Sequence, residues 1–250
     1  MKCIKIGWLF PDTLYLHGDN GNILALKRFC KLGGLDAKVE RINFGNTSFT
    51  PDQYDILVCP PGEIASFNAV IKELIPHKDA LISFINSGKP LIVTGTSVAM
   101  WCNKITRLDG SVIEGLGIIN AEARERNAVY GDDVYFNCNY NDTPLSVIGS
   151  QIQMLDFENI HDEYFGDLVY GYGLSNDSLH EGFKKKNSFF TNTLGPLLAL
   201  NPRLTVEILK TVYPDYSTDY DFKIEDSSFE SKKKFICAKT PGIIKTKSAE

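Results

Sequence analysis

Histidine is scarce in this chain, with four residues in 250. The six cysteines are scattered and form neither a CxxC pair nor a Cys/His cluster, which argues against structural zinc. No apolar run approaches the roughly 18 residues that a membrane-spanning helix needs. The stretch from Cys3 to Phe10 is short and interrupted before it meets Pro11-Asp12, so it does not read as a signal sequence. Charge of one sign is missing too: 26 basic residues face 31 acidic ones, for a net charge of −5. That balance provides no overall field for nucleic acid or anionic lipid. No internal repeat is visible. The expectation is a cytoplasmic chain with reduced thiols, without membrane span, nucleic-acid partner, metal or cofactor.

What is present is core material. Hydrophobic residues make up 43% of the chain and include 15 Phe, enough to fold without disulfides. Cys3 to Phe10, Tyr54 to Cys59 and Pro90 to Thr94 read as buried strands, and Ala37 to Phe44 alternates like one. Between them, Gly21 to Leu32 places apolar residues at helical spacing and ends at Gly33-Gly34. Phe67 to Asn86 reads as helix interrupted near Pro76, and a short helix follows from Ser97 to Cys102. Apolar strands alternating with helices predict an α/β fold: a mostly parallel sheet with helices on both faces. Beyond Asp109-Gly110 the chain turns β-rich, with strands over Tyr130 to Tyr140, Ser146 to Phe157 and Phe189 to Leu194. A helix begun at Pro202 closes it. Residues 1–213 are expected to form the domain. Residues 214–250 are polar and Lys-rich, and are expected to be flexible or ordered by a partner.

Ligands of a doubly wound sheet gather beyond the carboxyl ends of its strands. Two turns lie there: Pro60-Pro61-Gly62-Glu63 and Thr94-Gly95-Thr96-Ser97. A tight strand-to-helix turn is the geometry of a nucleophile elbow, though its plainer reading is a Gly-assisted turn. Gly95-Thr96-Ser97-Val98-Ala99 nearly fits G-x-S-x-G, which makes Ser97 one alternative nucleophile; the plainer reading is a core or N-cap serine. Cys59 is a second alternative, against a buried thiol followed by two prolines. Asp19-Asn20-Gly21-Asn22 reads as a turn and cap before the first helix.

The segment Phe10-Pro11-Asp12-Thr13-Leu14-Tyr15-Leu16-His17-Gly18-Asp19-Asn20-Gly21-Asn22-Ile23-Leu24-Ala25-Leu26 begins a series of family-like motifs. Gly110 to Ile118, Gly131-Asp132, Phe157-Glu158-Asn159, Gly171-Tyr172-Gly173 and Gly195-Pro196-Leu197-Leu198-Ala199-Leu200-Asn201-Pro202 follow in order. Together they resemble the glutamine amidotransferase subunit of lipid II isoglutaminyl synthase. That family is related to the amidotransferase domain of cobyric acid synthase. The resemblance implies a class I glutamine amidotransferase-like, flavodoxin-like fold. It also implies a chemistry in which a Cys thiolate attacks the glutamine side-chain amide while a His relays the proton.

Matching this chain to the family's Ile-Cys-Gly-Gly-Tyr-Gln elbow puts Thr94 at the Cys position, with Gly95 following. The family's His-Gly-Pro motif becomes Leu194-Gly195-Pro196, so Leu194 stands for the base. The glutamine-binding glycine turn becomes Cys59-Pro60-Pro61-Gly62-Glu63, where prolines remove amide donors. The family's substrate-binding Arg corresponds to Ala128, with Arg124 or Arg126 one shift away. By resemblance, Gly62, Glu63, Gly95 and Ala128 would line the substrate pocket. A threonine without an adjacent base is a poor nucleophile and Leu194 is no base, so glutaminase activity is not expected. The resemblance implies a degenerate subunit paired with a Mur ligase-like ATP-dependent ligase. The alternatives are a hydrolase with a relocated nucleophile, or a sensor that binds glutamine or a related small molecule.

Overall fold

A computed structural model describes residues 2–239. The strands β1 (Cys3–Leu9), β2 (Asp36–Ile42), β3 (Ile56–Cys59), β4 (Leu91–Thr94) and β11 (Ser188–Thr191) form its parallel half, in the order β2-β1-β3-β4-β11. Successive side chains of a strand point to opposite faces. On β3, therefore, Leu57 and Cys59 enter one core while Ile56 and Val58 enter the other. Both faces are covered, which is why these strands are apolar throughout. One layer holds α1 (Asn20–Leu32), α5 (Leu197–Leu200) and α6 (Pro202–Val212). The other holds α2 (Phe67–Leu74), α3 (Lys78–Asn86) and α4 (Val98–Trp101). A 3₁₀ turn at Ile75–His77 divides α2 from α3 where Pro76 interrupts the pattern.

The second half is largely antiparallel. It comprises β5 (Lys104–Thr106), β6 (Val112–Glu114), β7 (Glu122–Tyr140), β8 (Thr143–Glu158), β9 (Tyr164–Tyr170) and β10 (His180–Lys185). The sheet continues β11-β10-β9-β7-β5-β6, with β8 paired along β7. The β7–β8 hairpin turns at Asn141-Asp142, both at positive φ, as a two-residue type I′ loop requires. A register shift between Glu125 and Tyr130 bulges β7. Ser150 of β8 forms an antiparallel bridge with Leu194 and so ties the ribbon to the top of the parallel half.

The segment after residue 213 departs from the flexible or partner-ordered tail expected from composition. The Tyr216 hydroxyl donates to the Phe29 carbonyl at 2.7 Å, Phe222 stacks on Phe29, and α7 (Lys223–Ala238) lies on β7 and β8. Tyr216, Phe222, Phe229 and Ile236 are spread among charged residues, so average polarity concealed the contacts they make. Residues 240–250 of that expected tail lie outside the described residues. Among the described residues, no helix is long and apolar enough to cross a membrane.

Candidate functional site

The two candidate turns meet at the carboxyl ends of β3 and β4. Thr94 is still extended strand (φ −120°, ψ 147°) and pairs in register with Thr191. The chain turns at Gly95, where φ is +60°, and runs through a 3₁₀ turn, Gly95–Ser97, into α4. A nucleophile elbow carries its reactive side chain on the sharp, strained residue of such a turn. The sequence reading placed that residue at Thr94; the backbone places it at Gly95, which has no side chain to react.

The space that a side chain at Gly95 would occupy is filled. An ideal Cβ there would lie 2.8 Å from Leu194 Cδ2 and 2.8 Å from Pro61 Cβ. Leu194, expected at the place of the family's base, lies against the elbow as an apolar plug. It is held there by backbone exchange with Ser150, at 2.8 and 3.1 Å. Pro61 comes from the turn that resembles the family's glycine cradle. Three successive carbonyls of that turn act as acceptors, and its two prolines carry no N–H. The carbonyl of Pro60 accepts from Ser97 Oγ at 2.7 Å, that of Pro61 from Leu16 N at 3.1 Å, and that of Gly62 from Thr96 Oγ1 at 2.6 Å. Gly62 is itself covered by Leu14, whose side chain would collide with any Cβ there. Glu63 is exposed at the start of the following turn, where its carbonyl accepts from Ser66.

The alternative nucleophiles are tied up or masked. Ser97 is fully buried and its hydroxyl is committed to Pro60. Cys59 is fully buried, and burial pushes its thiol up to about 12. A thiol that high holds its proton at neutral pH and is no nucleophile. Ala128 was expected to line a pocket, yet it is exposed on the β7 bulge, where its carbonyl accepts from Arg126 Nε. A bulge turns its extra residues away from the ladder, which a linear motif match does not register. Neither nearby Arg supplies a free guanidinium: Arg126 binds Asp156 and Tyr172, and Arg124 binds Glu158. His180 pairs with Asp167 at 3.0 Å on the antiparallel half, His77 packs against Phe49, and His17 is exposed on the loop before α1.

Sequence reasoning missed one partner. Thr94 Oγ1 donates to Asp19 Oδ1 at 3.0 Å, and Asn22 Nδ2 donates to the same oxygen at 2.7 Å. Asp19 is buried, its Oδ2 has no partner, and desolvation pushes its carboxyl up to about 7 despite those two hydrogen bonds. Asn22 also accepts from Leu198 N at 2.7 Å, so this turn locks α1 to α5 and to the end of β4. Behind Thr94, the hydroxyls of Thr191 and Thr193 donate to Glu181 Oε1 at 2.5 and 2.7 Å. Glu181 is fully buried, and burial raises its carboxyl as well. The elbow thus rests on a buried polar layer and is capped by an apolar one. Among the described residues, no group of three or more His, Cys, Asp or Glu side chains is arranged to hold a metal ion.

No protein-family model matches the chain. It is 28% identical over 243 residues to the "Lipid II isoglutaminyl synthase (glutamine-hydrolyzing) subunit GatD" of Staphylococcus aureus (strain N315), covering 94% of this chain and 95% of that one. It is 26% identical over 211 residues to the subunit of the same name from Streptococcus pneumoniae (strain ATCC BAA-255 / R6), covering 83% and 80%. Among solved structures, "Structure of PurLQS from Thermotoga maritima" superposes with a TM-score of 0.53 at 12% identity, over 93% of this chain and 99% of that one, a likeness of fold alone. The fold is class I glutamine amidotransferase-like, and in sequence the chain is similar, over 94% and 83% of its length, to two GatD subunits of lipid II isoglutaminyl synthase.

Proposed function

We propose that this chain is a non-catalytic amidotransferase-like subunit. It keeps the fold and a docking surface, lacks glutaminase chemistry, and pairs in the cytoplasm with a Mur ligase-like ATP-dependent amide ligase. The carrying observation is the contact of Leu194 and Pro61 over Gly95. An acyl-enzyme needs a nucleophilic atom at the elbow, a base beside it and amide donors for the oxyanion. The corresponding places hold a glycine, a leucine and a proline turn whose carbonyls face inward. Loss of one member of such a unit costs orders of magnitude in rate, and here the parts are lost together.

Similarity along nearly the whole chain to subunits of a synthase supports retention of the partner-binding role. The ligase would then draw free ammonia, or another amine, for amidation in cell-wall or natural-product assembly. The test is purification of the chain from its host, followed by amidation assays with glutamine or ammonium as nitrogen source. Copurification of an ATP-dependent ligase that works with ammonium and is indifferent to glutamine supports the proposal. Ligase activity that requires glutamine in the presence of this chain overturns it.

A further inference from the structure

We propose that α7 is a detachable arm, and that the face beneath it is a docking surface for a Lys-rich amphipathic helix of a partner. The helix makes a separate, small core: Ile236 packs with Tyr135 and Ile148, edged by Phe229, Val169 and Tyr170. This cluster is distinct from the two large cores that hold the parallel half. Ile236 is the one fully buried residue of α7, whereas α6 buries Leu204, Thr205, Ile208 and Leu209. The seam is incompletely filled. Cavities of about 250 Å³ and about 210 Å³ lie on either side of Phe229, between α7 and the β8–α6 junction.

Charge does much of the holding. Lys232 Nζ meets Asp133 at 2.6 Å, and Lys239 Nζ meets Asp132 at 2.5 Å and Asp133 at 2.6 Å. Against the desolvation that would raise them, Lys239 and Tyr170 hold Asp132, and Lys232 and Lys239 hold Asp133, below the ordinary carboxylate range, so both stay ionised at neutral pH. The face therefore has an apolar centre and an acidic rim. Phe229 and Ile236 stand about two helical turns apart, with Lys232 and Lys239 three residues beyond each, and this spacing reads the face from one side of a helix. Any helix with that pattern is complementary to it. Partly exposed ion pairs are screened by salt, and local units with little apolar burial open before the whole domain does.

The test uses the full chain. Hydrogen exchange of α7 amides should be at least tenfold faster than that of α6, rising severalfold between 50 mM and 500 mM salt, while α6 and β7 are unaffected. A Lys232→Gln/Lys239→Gln chain weakens the arm and leaves the face intact. It should bind a fluorescent peptide of the sequence 223–239 at least tenfold more tightly than an Asp132→Asn/Asp133→Asn chain does. Protection of α7 equal to that of α6 and insensitive to salt would overturn detachability. Equal peptide binding by the two variant chains, or none by either, would overturn the docking surface.

Discussion

Leu194 Cδ2 lies 2.8 Å from the point at which Gly95 would carry a Cβ. Any side chain at that position must displace the leucine, distort Pro61, and adopt a left-handed backbone as well. Gly95→Ala is therefore expected to cost about 1–3 kcal/mol of stability, from strain and overpacking together. Urea unfolding monitored by circular dichroism would read this; an unchanged midpoint would mean that the elbow is roomier than described.

The reverse change empties the cap. Leu194→Ala removes a buried side chain over Gly95 and is expected to cost about 2–5 kcal/mol, depending on how far Pro61 collapses inward. The same denaturation series measures it. The variant should gain no glutamine hydrolysis, because the opened space faces no nucleophile.

Asp19 carries a pH signature of unusual sign. Its folded carboxyl sits near 7, above the ordinary value of 3.8, because burial disfavours the anion. Between those values the folded state binds more protons than the unfolded chain, so stability falls as pH rises through this window and levels off above it. The effect has an upper bound of roughly 4 kcal/mol at 1.36 kcal/mol per pH unit. Asp19→Asn should flatten the stability profile between pH 4 and 7. A profile unchanged by that substitution would place the titration elsewhere.

Thr94 makes a companion prediction. Thr94→Val keeps the shape and deletes the hydroxyl that donates to Asp19, leaving that oxygen with Asn22 alone. The expected loss is about 1–3 kcal/mol, the usual penalty for an unmet buried polar group. It should be smaller below pH 5, where a protonated Asp19 demands less. Thermal melts at two pH values distinguish this from a simple packing defect.

Thiol reactivity tests the Cys59 assignment. Under native conditions at pH 8, iodoacetamide should label the exposed Cys3 and Cys237, while the buried Cys30, Cys59 and Cys102 react only in denaturant. Peptide mass spectrometry reads each site. Rapid native labelling of Cys59 would reopen it as a nucleophile.

Much of the parallel half was legible because both of its faces are buried. Ile56 to Cys59 and Leu91 to Thr94 are apolar nearly throughout, and Pro76 marked the break between α2 and α3. The meeting of Leu194 with the β4 turn was legible only through ordered motifs, since Gly95 and Leu194 are remote in sequence. The register of the elbow was not legible. A choice between Thr94 and Gly95 depends on which residue has positive φ, and a Thr-Gly dipeptide permits the strand to end at either. The Asp19–Thr94 bond was hidden for a related reason: an Asx-rich turn before a helix already has a sufficient local explanation as a cap. In α7, Phe229 and Ile236 are isolated among Ser, Glu and Lys, so nothing local announced that β7 and β8 would receive them.

The most direct test is glutamate release from glutamine by the purified chain, alone and with its copurifying ligase, compared with Gly95→Cys/Leu194→His and with buffer. We predict release at the buffer rate for the native chain in both settings. Sustained multiple-turnover release by the native chain, abolished by substitution of one of its own side chains, would contradict the account.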